Sequence, residues 1–133
     1  MSAQPSVEQL LSTIYHALRT ERRRQVIRTL RETDARVLTT RELAREIASI
    51  ERDVALKRAT GEPYRNAYNA LSQTHLPTLS DADIIIYDPN RQTVRRGEYF
   101  QLTSLLLDSN LSMTRTISSL FETNSTEFEE EPQ

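Results

Sequence analysis

Residues 62–96, EPYRNAYNALSQTHLPTLSDADIIIYDPNRQTVRR, decide how this chain is read. Gly61 ends whatever precedes them, and Pro63 sits where a first helical turn tolerates proline because its missing N–H is not needed there. At about 100° per residue, Tyr64, Tyr68, Leu71, His75 and Leu79 fall within about 80° of one another, which predicts an amphipathic helix over about 63–81 with these residues inward. Asn66, Asn69 and Gln73 fall on the opposite side, flanked by Arg65. Pro77 removes one hydrogen bond from the helix and predicts a kink. Ile84-Ile-Ile-Tyr87 is a β-branched and aromatic run, too short for a helix and bounded by turn formers. Asp88-Pro-Asn-Arg91 has type I turn chemistry, and Thr93-Val94-Arg95 can return as the partner strand. Arg91, Arg95 and Arg96 then cluster on or near one hairpin.

Upstream, Ser6-Val-Glu-Gln9 is a capping box that opens a first helix, with Val7, Leu10, Leu11, Ile14, Tyr15 and Leu18 on its inner face. His16 falls on that helix's outer flank. Thr20 can cap a second helix, Glu21 to about Arg31, which buries Val26, Ile27 and Leu30. Val37-Leu38 is long enough for a very short strand. Thr39-Thr-Arg-Glu42 is a second capping box, starting a third helix with Leu43, Ala44, Ile47, Ala48 and Ile50 inward. Downstream of Gly97, the residues Tyr99, Leu102, Leu106, Met113, Ile117 and Leu120 follow heptad-like spacing in a last helical region, 98–121. That stripe is wider than one terminal helix needs and predicts twofold pairing, with packing back on the same subunit as the alternative. Residues 122–133 are expected to be an acidic, disordered tail.

Composition narrows the chemistry. The 133 residues contain no cysteine, two histidines (His16 and His75) and two glycines (Gly61 and Gly97). Disulfides, thiol catalysis and thiolate metal sites are thereby excluded, and no glycine-rich phosphate loop can be written. No metal, cofactor or small-molecule ligand is expected. No run of 18 apolar residues and no signal-peptide pattern is present, which predicts a cytoplasmic protein without a membrane span. The formal charge is −2, yet its distribution is uneven. The tail holds five of the 19 acidic residues and no base, leaving 14 acidic against 17 basic residues, +3, over 1–121. Six arginines stand between Arg19 and Arg31 against Glu21 alone.

A helix followed by a basic-tipped hairpin, after two further helices and a short strand, predicts a mainly α fold with a small β-hairpin wing. This is a winged helix-turn-helix over 6–96, with added N- and C-terminal helices. The run from Leu71 to Asn90, LSQTHLPTLSDADIIIYDPN, resembles a winged-helix domain of uncharacterised function common in haloarchaeal proteins. There a "QTHLPKL…AG" helix end precedes a "V.YD" strand. Arg22-Arg23-Arg24 and Thr39-Thr-Arg-Glu-Leu-Ala44 also match that pattern, so the resemblance covers roughly residues 8–96. More distantly, His75-Leu76…Leu79…Asp81-Ala-Asp-Ile84 is similar to the end of the recognition helix in winged-helix repressors. The resemblance implies transcriptional regulation, without the metal-sensing cysteines of that repressor class.

The expected function is a homodimeric, sequence-specific binder of double-stranded DNA. Asn and Gln can offer paired donors and acceptors to adenine in the major groove, so Arg65, Asn66, Asn69 and Gln73 are expected to read bases. Arg91, Arg95 and Arg96, with Arg41 and Arg45 at the flank, are expected to hold phosphates. The alternative is a winged helix used only to bind protein, through the first and last helices. Catalysis is not expected. Ser72, His75 and Asp81 have the residue types of a triad, but no nucleophile turn accompanies Ser72 and His75 is expected to face inward.

Overall fold

A computed structural model describes residues 4–108 and 119–120. In chain order it has α1 (Val7–Ala17), α2 (Glu21–Glu32), β1 (Leu38–Thr39), α3 (Thr40–Arg52), a 3₁₀ turn (Leu56–Arg58) and α4 (Glu62–Ala70). A π-helical turn (Leu71–His75), α5 (Leu76–Asp81), β2 (Ile85–Asp88) and β3 (Thr93–Arg96) follow. Residues 100–108 are helical and are called α6. The strands form one antiparallel sheet in the order β1-β3-β2, with Leu38 opposite Val94 and Tyr87 opposite the same residue on the other side. The fold is mainly helical with a small three-stranded sheet, compatible with an α fold carrying a β wing.

Both capping boxes close as their spacing dictates. Ser6 Oγ accepts from the Gln9 N–H while Gln9 Oε1 accepts from the Ser6 N–H, and Thr39 and Glu42 reciprocate in the same way. Thr20 makes no cap bond; its hydroxyl instead accepts from Arg23 at 2.6 Å. One core runs through the chain: Ile14 and Leu18 of α1, Val26, Ile27 and Leu30 of α2, Leu43 and Ile47 of α3, Leu71, Leu76 and Leu79 of the long helix, Ile84, Ile85, Val94, Phe100 and Leu107. Three expected core residues are on the surface instead. Val7 and Tyr15 of α1 are exposed, and Ile50 at the end of α3 is 48% exposed.

The long helix departs most from its expected geometry. Its buried residues are Ala67, Leu71, Leu76 and Leu79, with Tyr64, Tyr68 and His75 only half-buried beside them. The five-residue step from Leu71 to Leu76 is a π turn, in which the Leu76 N–H donates to the Leu71 carbonyl. Pro77 explains it: in a continuous α-helix its ring would strike the carbonyl four residues back. The wide turn moves that carbonyl aside and leaves Pro77 in the first turn of α5, where no N–H is required. The strain that predicted a kink at Pro77 is therefore met by one extra residue in the turn before it.

Gly97 fixes how β3 leaves the sheet. A Cβ there would lie 2.8 Å from the Asp83 carbonyl oxygen and 2.9 Å from Ile84 C and Ile85 N. The close approach lets the Gly97 N–H donate to the Ile84 carbonyl and the Tyr99 N–H to the Asp83 carbonyl, both at 2.9 Å. Asp83 itself adopts φ 58°, a left-handed conformation that a short polar side chain tolerates. From there α6 packs back on the same subunit through Phe100, Thr103, Ser104 and Leu107, and Arg31 of α2 grips Asp108 at 3.0 Å. The inward stripe is thus offset from the expected Tyr99–Leu102–Leu106 spacing. Tyr99, Leu102 and Leu106 are half-buried, the two leucines against this chain's own core. Met113, Ile117 and the acidic tail lie outside the described residues, and Leu120 is exposed.

Candidate nucleic-acid interface

Three elements that are distant in sequence meet at one cleft of about 470 Å³: the start of α3, the exposed flank of α4 and the turn of the β2–β3 hairpin. Its lining is Thr39 and Arg41, then Tyr64, Arg65, Tyr68 and Asn69, then Arg91 and Gln92. Three guanidinium groups thus share one concavity whose lining holds no carboxylate. Arg41 and Arg65 are exposed and make no ion pair among the described residues. The Arg91 side chain is 84% exposed and only 4.0 Å from Asp88.

The hairpin turn is built to hold this position. Asp88 Oδ1 accepts from the N–H groups of Asn90 and Arg91, at 2.9 and 3.2 Å, which fixes the first half of the turn. Gln92 then takes φ 54°, letting a four-residue loop close on the Asp88–Thr93 pair. Its Oε1 accepts from the buried Thr40 hydroxyl at 2.7 Å and from the Tyr87 hydroxyl at 2.9 Å. The Gln92 carbonyl also accepts from the Thr40 N–H at 3.0 Å. These bonds tie the wing to the start of α3, which brings the backbone at Arg91 to the same cleft as Arg41. On the opposite wall Tyr64 and Tyr68 lie with ring centroids 6.1 Å apart, tilted by 46°.

A family model described as a domain of unknown function, DUF7344, matches residues 15–95. The chain belongs to that family. No curated protein and no solved structure matches it. The DUF7344 domain starts within α1 and ends within β3, so it contains every residue lining the cleft and excludes α6.

Of the nine residues proposed from sequence for DNA contact, the DUF7344 cleft unites four: Arg41, Arg65, Asn69 and Arg91. Asn66 and Gln73 are exposed on the same long helix but do not line it, Gln73 lying within the π turn itself. Arg45 opens onto another groove between α2 and α3, among Glu32, Glu42 and Glu46. Arg95 lies beside Arg36 and Asp34 on the far side of the hairpin. Arg96 is committed elsewhere. Its guanidinium donates to the carbonyls of Leu30, Arg31 and Thr33 at the end of α2 and lies 5.2 Å over the Phe100 ring. It closes a helix end, as a cation does well there.

The arginine-rich run of α2 is likewise absorbed internally. Arg24 and Arg28 both donate to Glu21; burial pushes that carboxyl up, but bonds from Arg24, Gln25 and Arg28 together bring its pKa below the usual value. Arg22 holds Glu51 of α3 through two bonds of 2.8 and 3.0 Å, which raises the guanidinium's pKa against its partial burial. Arg31 takes Asp108, and Arg23 is buried. His75 lies near this network, its Nδ1 buried with no partner. Burial, then the charges of Arg23 and Arg22, lower its pKa, with Glu51 opposing.

Sequence reasoning missed Gln92, Thr39 and the tyrosine flank as parts of the cleft. Thr39 was legible only as a cap, and Gln92 gains its place from a left-handed conformation that its residue type does not announce. Among the described residues no helix is long and apolar enough to cross a membrane, and no group of His, Asp or Glu is placed to hold a metal.

Proposed function

We propose that this protein is a homodimeric, sequence-specific DNA-binding transcriptional regulator of winged-helix type. One observation carries the reading: Arg41, Arg65 and Arg91 converge from three elements on a cleft that no carboxylate lines, beside an exposed helix face of asparagine and glutamine. A DNA strand seated between helix and wing would meet the three guanidinium groups with its phosphates. The long helix would then lie in the major groove, where Asn69, Asn66 and Gln73 can pair with base edges. Arg95 is free to reach a phosphate from the wing's other side. The homodimer is supported by the apolar side chains that α6 and residues 119–120 leave in solvent, Leu105 at 65% and Leu120 at 58%. The same leucines support the second reading, a module that binds only protein.

Fluorescence anisotropy with random and genomic double-stranded fragments, over a series of salt concentrations, tests the proposal. Affinity should fall with salt along a line whose slope counts phosphate contacts. Asn69→Ala should cost about 1–3 kcal/mol on the preferred site and relax its sequence preference, whereas Arg91→Ala should weaken all sequences and flatten the salt slope by about one. Absence of binding at every salt concentration would leave the protein-binding reading in its place.

A further inference from the structure

The same cleft has a second candidate occupant within the chain. Residues 127–131 read Glu-Phe-Glu-Glu-Glu, an aromatic ring flanked by carboxylates, and Glu122 adds a fifth acid to a stretch without a base. The cleft is its inverse: two tyrosine rings 6.1 Å apart and three arginines, with no acid in its lining. We propose that this C-terminal segment occupies the arginine cleft when nucleic acid is absent. Phe128 would lie against Tyr64 and Tyr68, and the glutamates would pair with Arg41, Arg65 and Arg91. The segment would then act as a built-in competitor whose displacement by DNA costs affinity and rejects weak, non-specific sites.

Geometry allows it. Asp108 is held against α2 by Arg31. The 18 residues from 109 to 126 could span about 27 Å if wholly helical and about 60 Å if fully extended. A domain of this size is roughly 35 Å across, so the segment reaches the cleft once part of the connection is extended. Charge favours it as well. Arginine pairs with carboxylate through the same planar fork that it offers phosphate, and rings offset at 4.5–7 Å attract beyond their buried area. Other cationic surfaces are poorer hosts. Four of the five α2 arginines are already paired with Glu21, Glu51 or Asp108 and the fifth, Arg23, is buried; the groove beside Arg45 contains three glutamates, and the hollow beside Arg36 and Arg95 contains Asp34 and no aromatic ring.

The proposal rests on the cleft being a polyanion site, as the proposed function also requires, but its test has a readout without DNA. Because the chain has no cysteine, Glu130→Cys introduces a single point for a spin label in the full-length protein. At low salt the label should broaden the amide resonances of Tyr64, Arg65, Asn69 and Arg91 and spare those of α1. The broadening should vanish at high salt and when Arg65→Glu is added. Uniform or absent broadening would overturn the proposal whether or not the protein binds DNA. In parallel, full-length protein with Glu122, Glu127, Glu129, Glu130 and Glu131 all replaced by glutamine should bind double-stranded DNA about tenfold more tightly, the gain expected if the segment covers the cleft about nine-tenths of the time. Unchanged affinity there would also overturn it. Broadening at the cleft together with no DNA binding by either form would instead sink the regulator reading and leave the segment's docking intact.

Discussion

Replacing Arg96 by alanine separates a structural arginine from those proposed to contact DNA. Its guanidinium spans the last carbonyls of α2, with bonds to Leu30 and Thr33 and a longer one to Arg31, and covers one face of Phe100. Two well-formed charge-assisted bonds at the low end of their range, about 1.5 kcal/mol each, set the main cost. An exposed cation–π contact adds about 0.5 kcal/mol. Part of this is offset because the freed carbonyls at a helix end can bind water, so Arg96→Ala should lose about 2–3 kcal/mol. For a domain of this size that lowers Tm by roughly 10 °C or more, read by far-UV circular dichroism, with an unchanged urea m value. Arg96→Lys keeps the charge but not the fork and should recover less than half of the loss. DNA affinity per folded molecule should stay within twofold of the parent. Arg91→Ala should behave in the opposite way, with Tm within about 2 °C and affinity reduced for every sequence. A Tm loss below about 2 °C for Arg96→Ala, with a DNA defect as large as that of Arg91→Ala, would refute this division of labour.

Gly97→Ala should destabilise the fold by about 2–4 kcal/mol in urea unfolding, because its Cβ meets three backbone atoms of the 83–85 segment that cannot rotate away. Gln92→Ala should cost about 1–3 kcal/mol by leaving the buried Thr40 hydroxyl without its acceptor. Hydrogen exchange should then quicken in β3 near the turn before it does in α2. His75 is held neutral in the fold, its pKa lowered below the ordinary 6.5, so its unfolded form takes up protons first. Stability should be constant above pH 6.5 as far as this group is concerned and decline as the pH falls below it. His75→Gln should flatten that limb in equilibrium unfolding measured from pH 7.5 to 5.

Most element positions were legible because local chemistry specifies them. The two capping boxes and the Asp88-Pro-Asn-Arg91 turn each depend on residues within four positions of one another, and each forms where the spacing puts it, whereas α3 stops not at Gly61 but at Arg52, with Asp53 turning left-handed after it and Gly61 opening α4. Errors arose where a distant partner decides. Ile50 carries the right period for α3 but lines the open groove between α2 and α3, which leaves it 48% exposed. After Gly97 the heptad-like spacing did not show which residues are buried: Phe100 and Leu107, off that register, enter this chain's core, and Leu102 and Leu106 pack half-buried against it. Net arginine content misled most. Six arginines in and before α2 suggest a basic surface, yet Glu21, Glu51 and Asp108, the last two remote in sequence, take up four of them. The cleft was half legible: the helix face showed Arg65 and Asn69, and the turn showed Arg91. Their meeting with Arg41 required the sheet order β1-β3-β2, which sets the start of α3 beside the wing.

The wide turn between Leu71 and Leu76 has a consequence for how this helix tolerates length changes. Deleting any one residue from 72 to 75 would bring the buried positions 67, 71, 76 and 79 into ordinary three- and four-residue steps. The hydrophobic side would then keep its partners while the water-facing half beyond the deletion turned by a fraction of a revolution. A chain lacking Ser72 should therefore keep its core contacts and offer Gln73 at a different angle, yet lose about 3 kcal/mol as the Pro77 ring again meets the carbonyl four residues back, so that the extra residue both sets the aim of the helix and accommodates its proline.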